Sequence, residues 1–402
     1  MLIETDNGSN SEIDQLNQQA WDLRVSDSNK AFALGKEALS LSETIGYIKG
    51  KAEALRTLGL CHVRLSQNHE SQACFEQAFE LFDALNDTGG KGYVYTGFGI
   101  VQRNLGNYKS ALQLFFKSLE LIQETKYAEV EPLVYYHLGI TYKYIGNLEQ
   151  ALEYTLKSLA ASEKANRLMG IVEAYTLNTL GTLYDELGDF PHALTYYDRG
   201  LAIRKDIGDK WGEAGSLDNI GNVYLKQGDH ERAKEFCGQS LAIARDAGDK
   251  KGEANSLFHL AVIGNAQNNH AAAVDTAKRS LIIREEIGDK KGQAEIYLCM
   301  ADWTFAESEM EQTEQRLKLL DRALALAEET GAQDNLLKTH LGFYKLFKQE
   351  GEFEKALVHL EESNRLEKEI HSKAFNNKIL NLEITHEAEQ SKKEAEYTAC
   401  AT

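Results

Sequence analysis

Histidines, cysteines and paired acids are the residue types from which this chain would have to build any chemistry, and it holds eleven histidines and five cysteines. A helix-borne zinc hydrolase needs two histidines one turn apart with a glutamate between them, as in H-E-x-x-H. His69-Glu70 and His386-Glu387 begin that pattern but lack the second histidine. Cys61, Cys74, Cys237, Cys299 and Cys400 are odd in number and scattered, with no C-x-x-C pair. They read as small buried residues in a reducing compartment, not as a disulfide framework or a zinc site. No G-x-S-x-G elbow occurs, and no phosphate loop ends in Gly-Lys-Ser/Thr. Gly97-Phe98-Gly99 starts like a dinucleotide fingerprint, but Gln102 stands where the third glycine belongs. His62, His137 and His259 read as surface or partly buried helix residues, and acidic pairs such as Glu285-Glu286 as solvated helix surface. The expectation is a chain that is not an enzyme, with no cofactor and no metal.

The elements that carry these residues recur with a period of about 40. The stretches beginning at His137, Thr179, Asn219 and His259 each hold a small marker residue (Gly139, Gly181, Gly221, Ala261). An alanine follows twelve positions later in each: Ala151, Ala193, Ala233 and Ala273. Gly59, Gly99, Ala301 and Gly342 extend the register, giving steps of 40, 40, 42, 40, 40, 40 and 41. A unit repeated in tandem at this period is a solenoid, which buries its apolar faces against its neighbours.

The unit from Gly170 to Gly208 shows what each repeat builds. Ile171, Ala174, Leu177, Leu180, Gly181 and Tyr184 fall on one helical stripe. Gly188 supplies a left-handed stop and Asp189 a cap for a second helix. Pro191 lies in that helix's first turn, where its missing N–H costs little. Ala193, Leu194, Tyr197, Leu201 and Ile203 line its inner side, and Gly208-Asp209 ends it. The marker glycine and the alanine are small because two antiparallel helices cross there, at the short end of the 8–10 Å packing range.

Composition agrees with a folded, water-exposed chain: 43% apolar, 26% charged and only two prolines. Proline inside a helix costs roughly 3 kcal/mol, so its scarcity favours long helices. The net charge of −18 argues against nucleic acid, which needs a basic stripe, and against anionic membranes. No apolar run approaches the 18 residues of a membrane span. The N-terminus MLIETDNGSN lacks the features of a signal peptide. A cytoplasmic location is expected.

Leu177, Leu180, Gly181, Tyr184, Ala193, Tyr197 and Gly200 in one unit resemble the tetratricopeptide repeat, as do Leu217, Ile220, Gly221, Tyr224, Ala233, Phe236 and Ser240 in the next. The usual repeat has 34 residues; the longer form here resembles Pins-type polarity scaffolds and the input regions of bacterial signalling proteins. The resemblance implies an all-α, right-handed superhelix of about nine antiparallel helix-turn-helix repeats. Their spans are about 11–47, 50–87, 91–126, 130–166, 170–208, 212–248, 252–288, 292–331 and 334–370. A disordered segment over 1–10 would precede them. Residues 371–402 would add a capping helix through Phe375, Ile379 and Leu382, then a charged tail. The first repeat is degenerate, with a turn at Ser26-Asp27, and the last two stray from the twelve-residue spacing.

In such superhelices the first helix of each pair lines the concave surface. Applied to this register, the resemblance puts Arg56, Arg64, Arg103, Tyr136 and Lys143 on the groove wall in the earlier repeats. Asn178, Asp218, Asn219, Asn222 and Asn255 follow in the later ones. Asparagine donates and accepts at once, so Asn178, Asn219, Asn222 and Asn255 suit an extended peptide backbone. The groove begins basic and turns acidic near Asp185, Glu186 and Asp218, which would orient a ligand with unlike ends. The basic pairs by which some repeats of this family grip a C-terminal carboxylate are absent. The functional expectation is a protein-interaction scaffold or sensory module that binds a peptide or partner helix in its groove, in signal transduction. The alternatives are the input region of a larger enzyme, such as a histidine kinase or nucleotide cyclase, and a receptor for a quorum-sensing peptide.

Overall fold

The computed structural model describes residues 7–24, 27–65, 67–122, 130–164, 170–303 and 309–372. Every element among them is an α-helix. They run α1 (Asn7–Leu23), α2 (Ser28–Ile45), α3 (Ile48–Arg64), α4 (Asn68–Ala84), α5 (Thr88–Asn104), α6 (Tyr108–Ile122), α7 (Glu131–Ile145), α8 (Leu148–Lys164) and α9 (Gly170–Glu186). Then follow α10 (Phe190–Ile207), α11 (Lys210–Lys226), α12 (His230–Asp246), α13 (Lys250–Ala266), α14 (His270–Glu286), α15 (Lys290–Trp303), α16 (Glu309–Thr330) and α17 (Gln333–Gln349). A last helix, α18, is described over 353–372. The capping positions Phe375, Ile379 and Leu382 and the charged tail lie outside the described residues.

Two compact units divide between Thr179 and Leu180, inside α9. Within the first, α1, α3 and α5 each pack on the next odd helix as well as on the even helix that follows; α11, α13 and α15 do the same in the second. The predicted all-α repeat of antiparallel helix pairs is therefore present in each unit, with the odd helices as a continuous layer.

Chain reversal follows the glycine–aspartate grammar. Gly188 and Gly208 take φ of 75° and 73°, which end a helix without the penalty a Cβ would bring. Asp189 then accepts from the His192 N–H at 3.3 Å, and Asp209 from Gly212 at 2.9 Å. Asp249 and Asp289 repeat the contact. The helix at the N-terminus starts at Asn7, inside the segment 1–10 that the sequence left unstructured. Asn17 explains why α1 docks: its amide donates to the Gly50 carbonyl at 2.9 Å, beside buried Ile13 and Ala20.

The marker glycines touch a residue four beyond the expected alanine. A Cβ on Gly59, Gly99 or Gly181 would come within 2.6, 2.5 and 2.6 Å of the Phe75, Phe115 and Tyr197 rings. On Gly221 it would meet the Cys237 Sγ at 2.5 Å and the Ala233 carbonyl oxygen at 3.2 Å. The glycine thus admits a side chain from the second helix, while the alanine lets the backbone approach.

A buried serine recurs on the second helices. Ser118, Ser158, Ser240 and Ser280 donate to the carbonyls of Gly92, Pro132, Ala214 and Ala254, at 2.7, 2.7, 2.8 and 2.7 Å. A buried hydroxyl must be satisfied, so each bond pins one hairpin's register.

Candidate functional site

The first unit gathers cations and aromatic rings on its odd helices. Trp21 of α1 and Tyr93 of α5 meet edge-on with centroids 5.3 Å apart. Arg56 of α3 lies against both, 4.3 Å from the Trp21 centroid and 4.9 Å from that of Tyr93. Arg24 covers the Trp21 ring at 3.7 Å. Burial, with help from Arg56 and Arg64, pulls the Arg24 guanidinium down to about 10, still fully charged at neutral pH. Rings accept cations on their faces, so this stack holds positive charge without neutralising it. The Arg56 Nε–H has no acceptor. Arg64, also on α3, is exposed.

Further along the same layer, Arg103 of α5 is held from below. Its Nη1 donates to His137 Nδ1 at 3.1 Å, and a guanidinium can only donate, so the imidazole accepts and is neutral. Burial and the Arg103 charge push the His137 pKa well below its ordinary value, in agreement. The His137 ring stacks on Phe115, centroids 5.6 Å apart and planes 11° apart. Asn68, Arg103, Asn104, Tyr108 and Tyr144 line a polar pocket here. Tyr144 is exposed and stacks on Tyr108. Tyr136 packs on Tyr175 at 6.0 Å, and Lys143 is half-buried beside this group. Among the described residues, none of Arg24, Arg56, Arg64 and Arg103 forms an ion pair with a carboxylate.

The acids expected at the groove's other end are engaged internally. Lys226 pairs with Asp185 at 2.7 Å. Asp218 is buried and meets His259 Nδ1 at 3.0 Å. Asn178, Asn219 and Asn222 are half-buried on α9 and α11. Asn255 of α13 is occupied, its oxygen accepting from Arg284 Nη2 at 2.9 Å. Asp218, Cys237 and His259 are the described residues whose ligand atoms converge closely enough for a metal ion. The first unit thus brings Arg56, Arg64, Arg103, Tyr136 and Lys143 onto one layer, joined by Trp21, Arg24, Tyr93 and His137. The sequence placed Trp21, with Ala20 and Ala31, in the register of the first repeat but marked neither Trp21 nor Arg24 as groove residues, because that repeat is degenerate.

Stacked antiparallel helix pairs with crossing-point glycines define a class of repeat protein built to display a surface. The tetratricopeptide-repeat family model matches residues 50–124, 91–164, 131–206 and 213–286, and the chain belongs to that family. No curated protein matches its sequence. Solved structures share the fold at low identity. The apo form of the quorum sensor NprR from B. thuringiensis superposes with a TM-score of 0.65 at 15% identity, over 89% of this chain and 99% of that one. A Rap protein complexed with Competence and Sporulation Factor gives 0.62 at 15%, over 90% and 99%. A signal-transduction ATPase with a tetratricopeptide-repeat sensor, from Pyrococcus horikoshii, gives 0.60 at 17%, over 94% of this chain and 55% of that one. No described helix is long and apolar enough to cross a membrane.

Proposed function

We propose that the chain is a non-enzymatic, cytoplasmic signalling module that binds a peptide or partner helix on the exposed face of its odd helices. The ligand is acidic where it meets the first unit. One observation carries this reading: Arg24, Arg56 and Arg64 stand together, and Arg103 further along the same layer, none ion-paired with a carboxylate, while Asp185 and Asp218 of the second unit are already neutralised. Trp21, Tyr93, Tyr136 and Tyr144 supply apolar area with little rotamer entropy to lose, as binding anchors do. Arg103, Tyr136 and Lys143 would grip one stretch of the ligand and Arg56 and Arg64 another. Asn222, half-buried on α11, would pair with its backbone.

The likeness in fold to a quorum sensor and to a Rap protein solved with a signalling factor supports a peptide as the ligand. The sensor of the Pyrococcus ATPase, where comparable repeats occupy about half of a longer chain, supports the second reading, an input region for an output domain. The net charge of −18 speaks against nucleic acid as a partner.

A peptide array probed with the whole chain tests the proposal. Acidic peptides should bind in the micromolar range, about −8 kcal/mol, and the Arg56→Ala/Arg103→Ala double variant should lose at least tenfold, about 1.4 kcal/mol. Equal binding of basic and acidic peptides, or an unaffected double variant, would remove the assignment.

A further inference from the structure

Three metal-ligating side chains from three consecutive helices of the second unit meet in its interior. Asp218 comes from α11, Cys237 from α12 and His259 from α13, and one ligand atom of each lies within 4.8 Å of the others. Asp218 and Cys237 are buried and His259 is partly so. His259 Nδ1 stands 3.0 Å from the Asp218 carboxylate, and the Cys237 Sγ converges on the same point. Cys237 fills the space at Gly221, and Asp218 and His259 bring polar groups against it.

The repeat register shows how unusual the arrangement is. The position of Cys237, sixteen beyond the marker glycine, holds Phe75, Phe115 and Tyr197 in other repeats, where a ring fills the hairpin. The position of His259, two before the marker, holds His137 three repeats earlier, and His137 lies flat on Phe115. Replacing that ring with a sulfur turns a ring-on-ring contact into an imidazole facing a thiol. Asp218, three before its own marker, then closes the third side. Buried polar groups need partners, and here Asp218 and His259 are each other's.

We propose that Asp218, Cys237 and His259 form a three-ligand site for a divalent transition metal ion of the zinc type. One thiolate, one imidazole and one carboxylate are the donors zinc takes, whereas magnesium and calcium require oxygen throughout. The Asp218–His259 separation is 3.0 Å and all three ligand atoms lie within 4.8 Å of one another, against roughly 3.5 Å between ligands around a tetrahedral zinc ion. Two anionic ligands neutralise the dication, which suits a buried site. Three protein ligands leave a fourth position. Water would fill that position.

Cobalt(II) titrated into the chelator-treated full chain tests this. One equivalent should produce a near-ultraviolet thiolate-to-cobalt charge-transfer band with visible bands of a tetrahedral ion, and zinc should displace it. Cys237→Ser should lose the charge-transfer band while Cys299→Ser keeps it, and His259→Gln should weaken cobalt binding at least tenfold. Zinc should also raise the melting temperature of the parent but not of Cys237→Ser, whose own cooperative melt shows that the variant folds. A parent chain without the thiolate band, or a band that survives in Cys237→Ser, would overturn the site.

Discussion

Arg103 owes its place to a neighbour that titrates. His137 accepts from the guanidinium and so must stay neutral, and burial beside Arg103 holds its pKa well below the ordinary value. In the unfolded chain the same imidazole takes up a proton near pH 6.5. The unfolded state then binds more protons than the folded one, so stability is complete above that pH and falls as pH drops below it. His137→Gln should therefore narrow the difference in melting temperature between pH 7 and pH 5, compared with the parent. Equal acid sensitivity in both would mean the ring is protonated in place. Arg56 makes the second residue-scale prediction. Losing its stack on Trp21 and Tyr93 should weaken an acidic peptide by about 1–2 kcal/mol, read by calorimetry on Arg56→Ala. The sequence marked Arg56, Arg103 and Tyr136 by their register. It was silent on His137 as the support of Arg103, because 34 positions and the whole of α6 separate them. Asn255 shows the opposite gap: its amide looked free for a ligand, yet Arg284 from the following helix takes its oxygen.

Helix boundaries were the most legible part of the chain, since each rests on local chemistry. A glycine at φ near 70° followed by a capping aspartate is written within two residues, as at Gly208-Asp209 and Gly248-Asp249. Asp249→Ala removes the bond to the Gly252 N–H and should cost about 1 kcal/mol, measured by chemical denaturation. Packing partners were less legible. The twelve-residue glycine–alanine spacing pointed to Ala233 opposite Gly221, but the Cys237 side chain fills the space at Gly221. The contact depends on how the second helix rotates, which spacing alone does not set. Gly221→Leu drives a branched side chain into the Cys237 Sγ and the Ala233 carbonyl, so several kcal/mol of overpacking should follow. A melting temperature equal to the parent's would show that α11 and α12 do not cross there. The recurring serine of the second helices was visible as a period, but its bond to a carbonyl of the preceding helix needed the structure.

At the scale of the molecule, charge works in two directions. The net −18 repels an acidic ligand at a distance, while the four arginines of the first unit attract it once it is near. Salt screens both, since the Debye length is about 10 Å at 0.1 M. Added salt should therefore speed association and also speed dissociation, seen in stopped-flow or biolayer kinetics with an acidic peptide. Association that slows with salt would mean the ligand senses a basic field and not the acidic whole. The most direct test of the binding face is photo-crosslinking from two exposed positions on opposite layers. A photoreactive residue at Tyr144, on odd helix α7, should capture a bound acidic peptide, and one at Leu156, on even helix α8, should not. Capture from Leu156 with none from Tyr144 would contradict the proposed surface.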